Sequence, residues 1–164
     1  MPNHLAEDLI THGFELARLD PRRPKQVNLR RATSAAYYGV FHALADEIGR
    51  PFRPQARPSA NRLLNHATAK QAANKIAGSG TLHTMVGGSV CPTGLKQVAL
   101  DFVALQSFRH LADYSVASTF ERKTVLEHLQ RANRAVATVR QARTACPAEL
   151  HGFLLALLGA RDPL

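Results

Sequence analysis

Residues 94–114 read GLKQVALDFVALQSFRHLADY. Apolar residues recur here at spacings of three and four, which a strand with its period of two cannot place on one face. Stepped at about 100° per residue, Val98, Phe102, Leu105 and Arg109 fall on one helical stripe. The stripe is core until its last member. A guanidinium keeps its proton and is costly to bury without a partner, so Arg109 must be met there by something polar, or its end of the stripe must line a cleft. Asp113, four residues on, is one partner within reach.

The same periodicity runs outward in both directions, and no alternating run of strand type interrupts it. The expected fold is all-α: an up-and-down bundle of four to six helices in one domain, residues 1–164, with a core bundle over about 4–143. A first helix fits about 4–19, with Leu5, Leu9, His12 and Leu16 in register, and stops at the two prolines of LDPRRP. A second fits 26–49, up to Gly49 and the proline-rich PFRPQARP. Ser59 is placed to cap a third over about 60–77, and Thr93 to cap the helix quoted above. Between them 78–94 reads as a glycine-rich connection. Ser118 and Glu121 have the spacing of a capping box opening a long helix to about 143. Pro147 opens a last, apolar helix over about 147–159, which must pack on the body or on a second subunit. The many apolar residues of 94–114 predict that this helix is the central one.

Lys plus Arg number 21 against 12 Asp plus Glu, giving a formal charge of +9 and a pI near 10.4. Most of the excess is arginine, whose planar fork suits phosphate, so a polyanionic partner such as RNA is expected. The basic residues gather in three places: Arg18, Arg22, Arg23, Lys25, Arg30 and Arg31 around the first turn; Arg50, Arg53, Arg57 and Arg62 along the second connection; and Arg122, Lys123, Arg131, Arg134, Arg140 and Arg143 on the late helix. With no Trp there is no aromatic single-strand platform, so binding should be phosphate-led and weakly sequence-specific. Cys91 and Cys146 lack zinc-site spacing, the histidines form no ligand pattern, and the glycines of GSGTLHTMVGGSV lack phosphate-loop spacing. No metal and no cofactor are therefore expected. The opening MPNHLAEDLITHG carries acids rather than an apolar signal core, and the most apolar run, GFLLALLGA at 152–160, is too short to span a bilayer. A cytoplasmic protein with reduced thiols is the expectation.

The second helix carries two faces. Tyr37, Phe41, Leu44 and Ile48 form an apolar stripe, while Arg31, Tyr38 and His42 lie within about 40° of one another on another side. Ala32, Ala35, Ala36 and Gly39 allow a neighbouring helix to come close. One face builds core and the other is a candidate site facing Arg109, His110 and Tyr114.

These residues carry a resemblance. LRRATSAAYYGVFHALADEIG, 29–49, resembles the second-helix signature of HEPN domains (higher eukaryotes and prokaryotes nucleotide-binding), and RHLADY, 109–114, resembles the family's arginine-started segment. The resemblance implies a bundle of four or five helices, commonly a homodimer. It also implies a place in toxin–antitoxin or defence systems, often beside a small nucleotidyltransferase as partner. Many members are metal-independent endoribonucleases whose motif is an arginine, a polar residue and a closing histidine. Arg109 and His110 match the first two. Positions 114–116, where the histidine belongs, hold Tyr114, Ser115 and Val116.

Metal-free RNA cleavage needs a base for the 2′-hydroxyl and an acid for the leaving oxygen, tasks suited to an imidazole and ill suited to a phenol with a pKa near 10. The first expectation is thus a HEPN-like protein with a degenerate ribonuclease motif that binds RNA or a partner protein, with Arg31, Tyr38, His42, Arg109 and Tyr114 as its phosphate-binding residues. An active ribonuclease using Arg109 with His110 or His42 is the alternative. A structural bundle that docks a partner through its last helix is a third.

Overall fold

The computed structural model describes residues 4–82 and 90–160. They form seven helices: α1 (Leu5–Arg18), α2 (Gln26–Gly49), α3 (Arg57–Asn61), α4 (His66–Ser79), α5 (Thr93–Tyr114), α6 (Arg122–Ala145) and α7 (Pro147–Leu157). An isolated antiparallel bridge, Thr81 to Val90, is the sole extended pairing among the described residues. The fold is all-α, and part of the 78–94 connection lies outside the described residues.

Two helices stand where one is expected over 60–77. After Leu64 the chain turns extended at Asn65 (φ −107°, ψ 132°), whose side chain accepts from the N–H groups of Ala67 and Thr68 and so starts α4. Ser59 lies inside the short α3, which has a proline at its start instead of a capping hydroxyl. The Ser118–Glu121 capping box does not form either. Gln26 clamps the backbone of Phe120 from both sides, accepting from its N–H at 2.8 Å and donating to its carbonyl at 2.9 Å. Phe120 is thereby held out of the helix, Ser118 bonds Ser115 instead, and α6 begins at Arg122 without a side-chain cap. Thr93 is the first residue of α5 and not its cap, with extended Pro92 before it.

The central helix is α2, packed against α1, α5 and α6, and not α5 as its apolar richness predicts. Ala32, Ala36, Gly39 and Ala43 let three neighbours approach α2 closely, whereas α5 leaves Leu100, Leu111 and Tyr114 exposed. Tyr37, Leu44, Phe102, Leu105, Leu129 and Phe153 are fully buried in one continuous core, while Phe41 packs against it half-buried. α7 closes the bundle against α4 and α6.

Gly39 marks the tightest approach. A Cβ there would stand 2.6 Å from Ile10 Cγ1 and 3.1 Å from the Ala6 carbonyl. Overpacking against backbone outweighs the gain in helix propensity, so Gly39→Ala should cost about 1–3 kcal/mol in urea unfolding. Unchanged or raised stability would mean that α1 can move away from α2.

Candidate functional site

Arg109 leaves the α5 core stripe at the edge of the bundle, with its side chain 17% exposed. Its Nη2 donates to the Tyr38 hydroxyl at 2.8 Å. Its Nε lies 2.9 Å from Asp113 Oδ2, an ion-pair contact without hydrogen-bond alignment. Asp113 also accepts from Ser34 Oγ at 2.6 Å, which ties the acid to α2. The guanidinium stands 5.4 Å, 5.7 Å and 6.0 Å from the ring centres of Tyr38, Tyr37 and Tyr114. Burial opposes the charge, and the Tyr38 hydroxyl and Asp113 hold it in place. α2 and α5 thus meet through Arg109, and Arg30 reinforces the contact by donating to the carbonyls of Ala112 and Ser118 at the α5 end.

Fold geometry brings some of the expected site residues together and leaves others apart. Tyr38 and Tyr114 border Arg109. His42 lies beside Tyr38, ring centres 6.4 Å apart, with burial lowering its pKa. Arg31 is exposed one helical turn before Ser34 and has no acid partner among the described residues. His110 points elsewhere: it is exposed, and among the described residues the ring it meets is that of Tyr114, at 4.9 Å.

A residue absent from the sequence-based site occupies its inner wall. His66, first residue of α4, stacks on Phe41 at 4.0 Å and has Nδ1 2.6 Å from the Tyr37 hydroxyl. Burial first, then the charges of Arg109 and His42, push its pKa down. Burial also pushes the Tyr37 phenol far up, with Arg109 working against that shift, so Tyr37 keeps its proton, and the direction of its hydrogen bond to His66 follows the imidazole tautomer. Gln106 secures the same turn by donating to the His66 carbonyl at 3.2 Å. Reading Asn65 as a helix cap places His66 at a helix start, but nothing local places it beside Tyr37, 29 residues earlier. Tyr37→Phe should strand His66 Nδ1 and cost about 1–3 kcal/mol, measured by thermal or urea unfolding. A loss below a few tenths would show that water replaces the phenol.

The basic clusters divide sharply. Arg140 and Arg143 are committed to Asp46 and Glu47, Arg131 to Asp101, and Arg122 to the carbonyls of Ala17, Asp20 and Pro21. Arg22, Arg23, Arg31, Arg53 and Arg62 are exposed and without an acid partner among the described residues, while exposed Arg134 acts on the charge of Asp101. Among the described residues no group of three or more His, Cys, Asp or Glu is arranged to hold a metal, and no helix is long and apolar enough to cross a membrane. Set against protein-family models, curated proteins and solved structures, this chain matches none.

Proposed function

We propose that the protein is a HEPN-like helical bundle that holds RNA by its phosphates on the α2–α5 face and does not cut it. The observation that carries this reading is the setting of Arg109: a fixed, permanent charge between α2 and α5, with exposed Arg31 beyond Ser34, while His110 of the motif is exposed beside Tyr114. Tyr38 and Asp113 orient the guanidinium, and its Nη1 has no acceptor among the described residues. Arg31 supplies a second cation on the same side of α2. Exposed Leu111, Tyr114 and Val116 give a second copy of the chain apolar surface to cover beside the arginine, in keeping with a homodimer. The HEPN resemblance adds the cytoplasm, a toxin–antitoxin or defence setting and a nucleotidyltransferase-type partner.

One observation favours the ribonuclease alternative: the fold brings a neutral histidine, His66, to the wall of the arginine site. Its place argues against it as a base: the imidazole is stacked on Phe41 and engages one ring nitrogen with Tyr37, within the wall of the bundle. Fluorescence anisotropy with a mixed-sequence single-stranded RNA tests the reading. Arg31→Ala and Arg109→Ala should each weaken binding about tenfold, the loss of one charge-assisted contact. Unchanged affinity in both variants would remove the α2–α5 face from the function.

A further inference from the structure

Away from Arg109, Arg50, Arg57, Arg140 and Arg143 line one cleft of about 820 Å³ where the end of α2 meets α3, α6 and the start of α1. That volume is in the range of small-molecule sites. Each guanidinium is held by its Nε edge. Arg50 Nε lies 3.3 Å from Glu47 Oε2, and Arg57 Nε donates to the Phe52 carbonyl at 3.1 Å. Arg140 Nε donates to Glu7 at 3.2 Å, and Arg143 Nε to Glu47 at 2.7 Å. Terminal nitrogens of all four are left without an acceptor among the described residues: both on Arg50 and Arg57, Nη2 on Arg140 and Nη1 on Arg143. Four guanidinium charges face three carboxylates, those of Glu7, Asp46 and Glu47, so the cleft is positive with every acid ionised. Pro51 and Pro54 fix φ in the connection that leads to Arg57, which opens α3, so the backbone that carries Arg57 is restrained.

We infer that this cleft binds a phosphate dianion, free or at the end of a nucleic-acid chain. A tetrahedral dianion offers several acceptor oxygens to terminal nitrogens that line one cleft, the arrangement in which guanidinium forks bind phosphate in two-point contacts. Neutral ligands leave the excess charge unmet, and cations are repelled by it. The site lies beyond the α2–α5 face and shares no arginine with it, so either assignment can fail alone.

The test is calorimetric titration of the intact protein with inorganic pyrophosphate. One-site binding is expected, weakened about tenfold by Arg50→Gln and by Arg57→Gln, since each removes a charge-assisted contact. Arg57 lies at the outer rim and touches no acid among the described residues, so its variant should keep the melting temperature; Arg50 also contacts buried Glu47, so Arg50→Gln is titrated at a temperature where it is fully folded. Arg62→Gln, outside the cleft, and Arg109→Ala should leave pyrophosphate binding unchanged. A parallel arm compares one RNA with a 5′-phosphate and with a 5′-hydroxyl end. Preference for the phosphate end, lost in Arg57→Gln, assigns the cleft to chain ends; equal binding alongside tight pyrophosphate assigns it to a free phosphate ligand. Absence of heat at millimolar pyrophosphate, heat reproduced by sodium chloride at matched ionic strength, or binding that survives the double substitution overturns the inference.

Discussion

Glu47→Gln should cost about 3–5 kcal/mol at neutral pH, the largest single effect expected outside the apolar core. The Glu47 side chain is 2% exposed and accepts from Arg140 at 2.8 Å and from Arg143, with Arg50 alongside. Burial pushes its carboxyl up, but the hydrogen bonds from Arg143 and Arg140 and the charges of Arg143 and Arg50 outweigh that and bring it below the usual range. The sign of the pH dependence follows. A carboxyl lowered on folding contributes stability that is present above its unfolded pKa, about 4.5, and is lost as pH falls through the lower folded value. The gap between wild type and Glu47→Gln should therefore be full at pH 7 and shrink below about 4.5. Urea unfolding across that range measures it. A gap that is the same at pH 3 and pH 7 would mean that the glutamine fails by shape and not by charge.

The second large effect is on RNA. Affinity for mixed single-stranded RNA should fall with a log–log salt slope of about 0.7 for each phosphate contacted, so four contacts would weaken binding about fiftyfold between 50 and 200 mM salt. The arginines available for this are the exposed, unpaired ones, such as Arg22, Arg23 and Arg31, and not the whole excess of +9. Substituting Arg140 or Arg143 should damage stability first, because each is ion-paired with Asp46 and Glu47. Binding insensitive to salt would leave the charge excess a matter of composition.

Local periodicity makes much of this molecule legible before any coordinates. The α5 stripe through Val98, Phe102 and Leu105, the burial of Tyr37 and Leu44, and the Arg109–Asp113 pair all depend on helical spacing alone. The approach of Tyr38 to Arg109 follows one step further, because two helices with facing polar residues can satisfy both. Contacts between distant segments are not legible in the same way. Arg140 reaches Glu7 across 133 residues and Glu47 across 93, and no spacing rule separates these long-range pairs from solvated surface arginines. His66 escapes for the same reason. The centrality of α2 is hidden because hydropathy rewards large apolar residues, whereas close packing of three neighbours rewards alanine and glycine.

Helix boundaries fail for a more local cause. The capping box at Ser118 competes with the Gln26 clamp on Phe120, and two side-chain-to-backbone hydrogen bonds from another helix win. A sequence shows which residues are able to cap; it does not show which backbone groups a distant side chain has already taken.

The central claim is that this face holds RNA without cutting it. Labelled RNA incubated with stoichiometric protein in EDTA, and followed by denaturing gel over hours, tests that most directly. The account predicts RNA that is retained by the protein and recovered full length. Accumulation of EDTA-resistant fragments, abolished in Arg109→Ala and in either His66→Ala or His110→Ala at unchanged melting temperature, would contradict it and make the protein a ribonuclease.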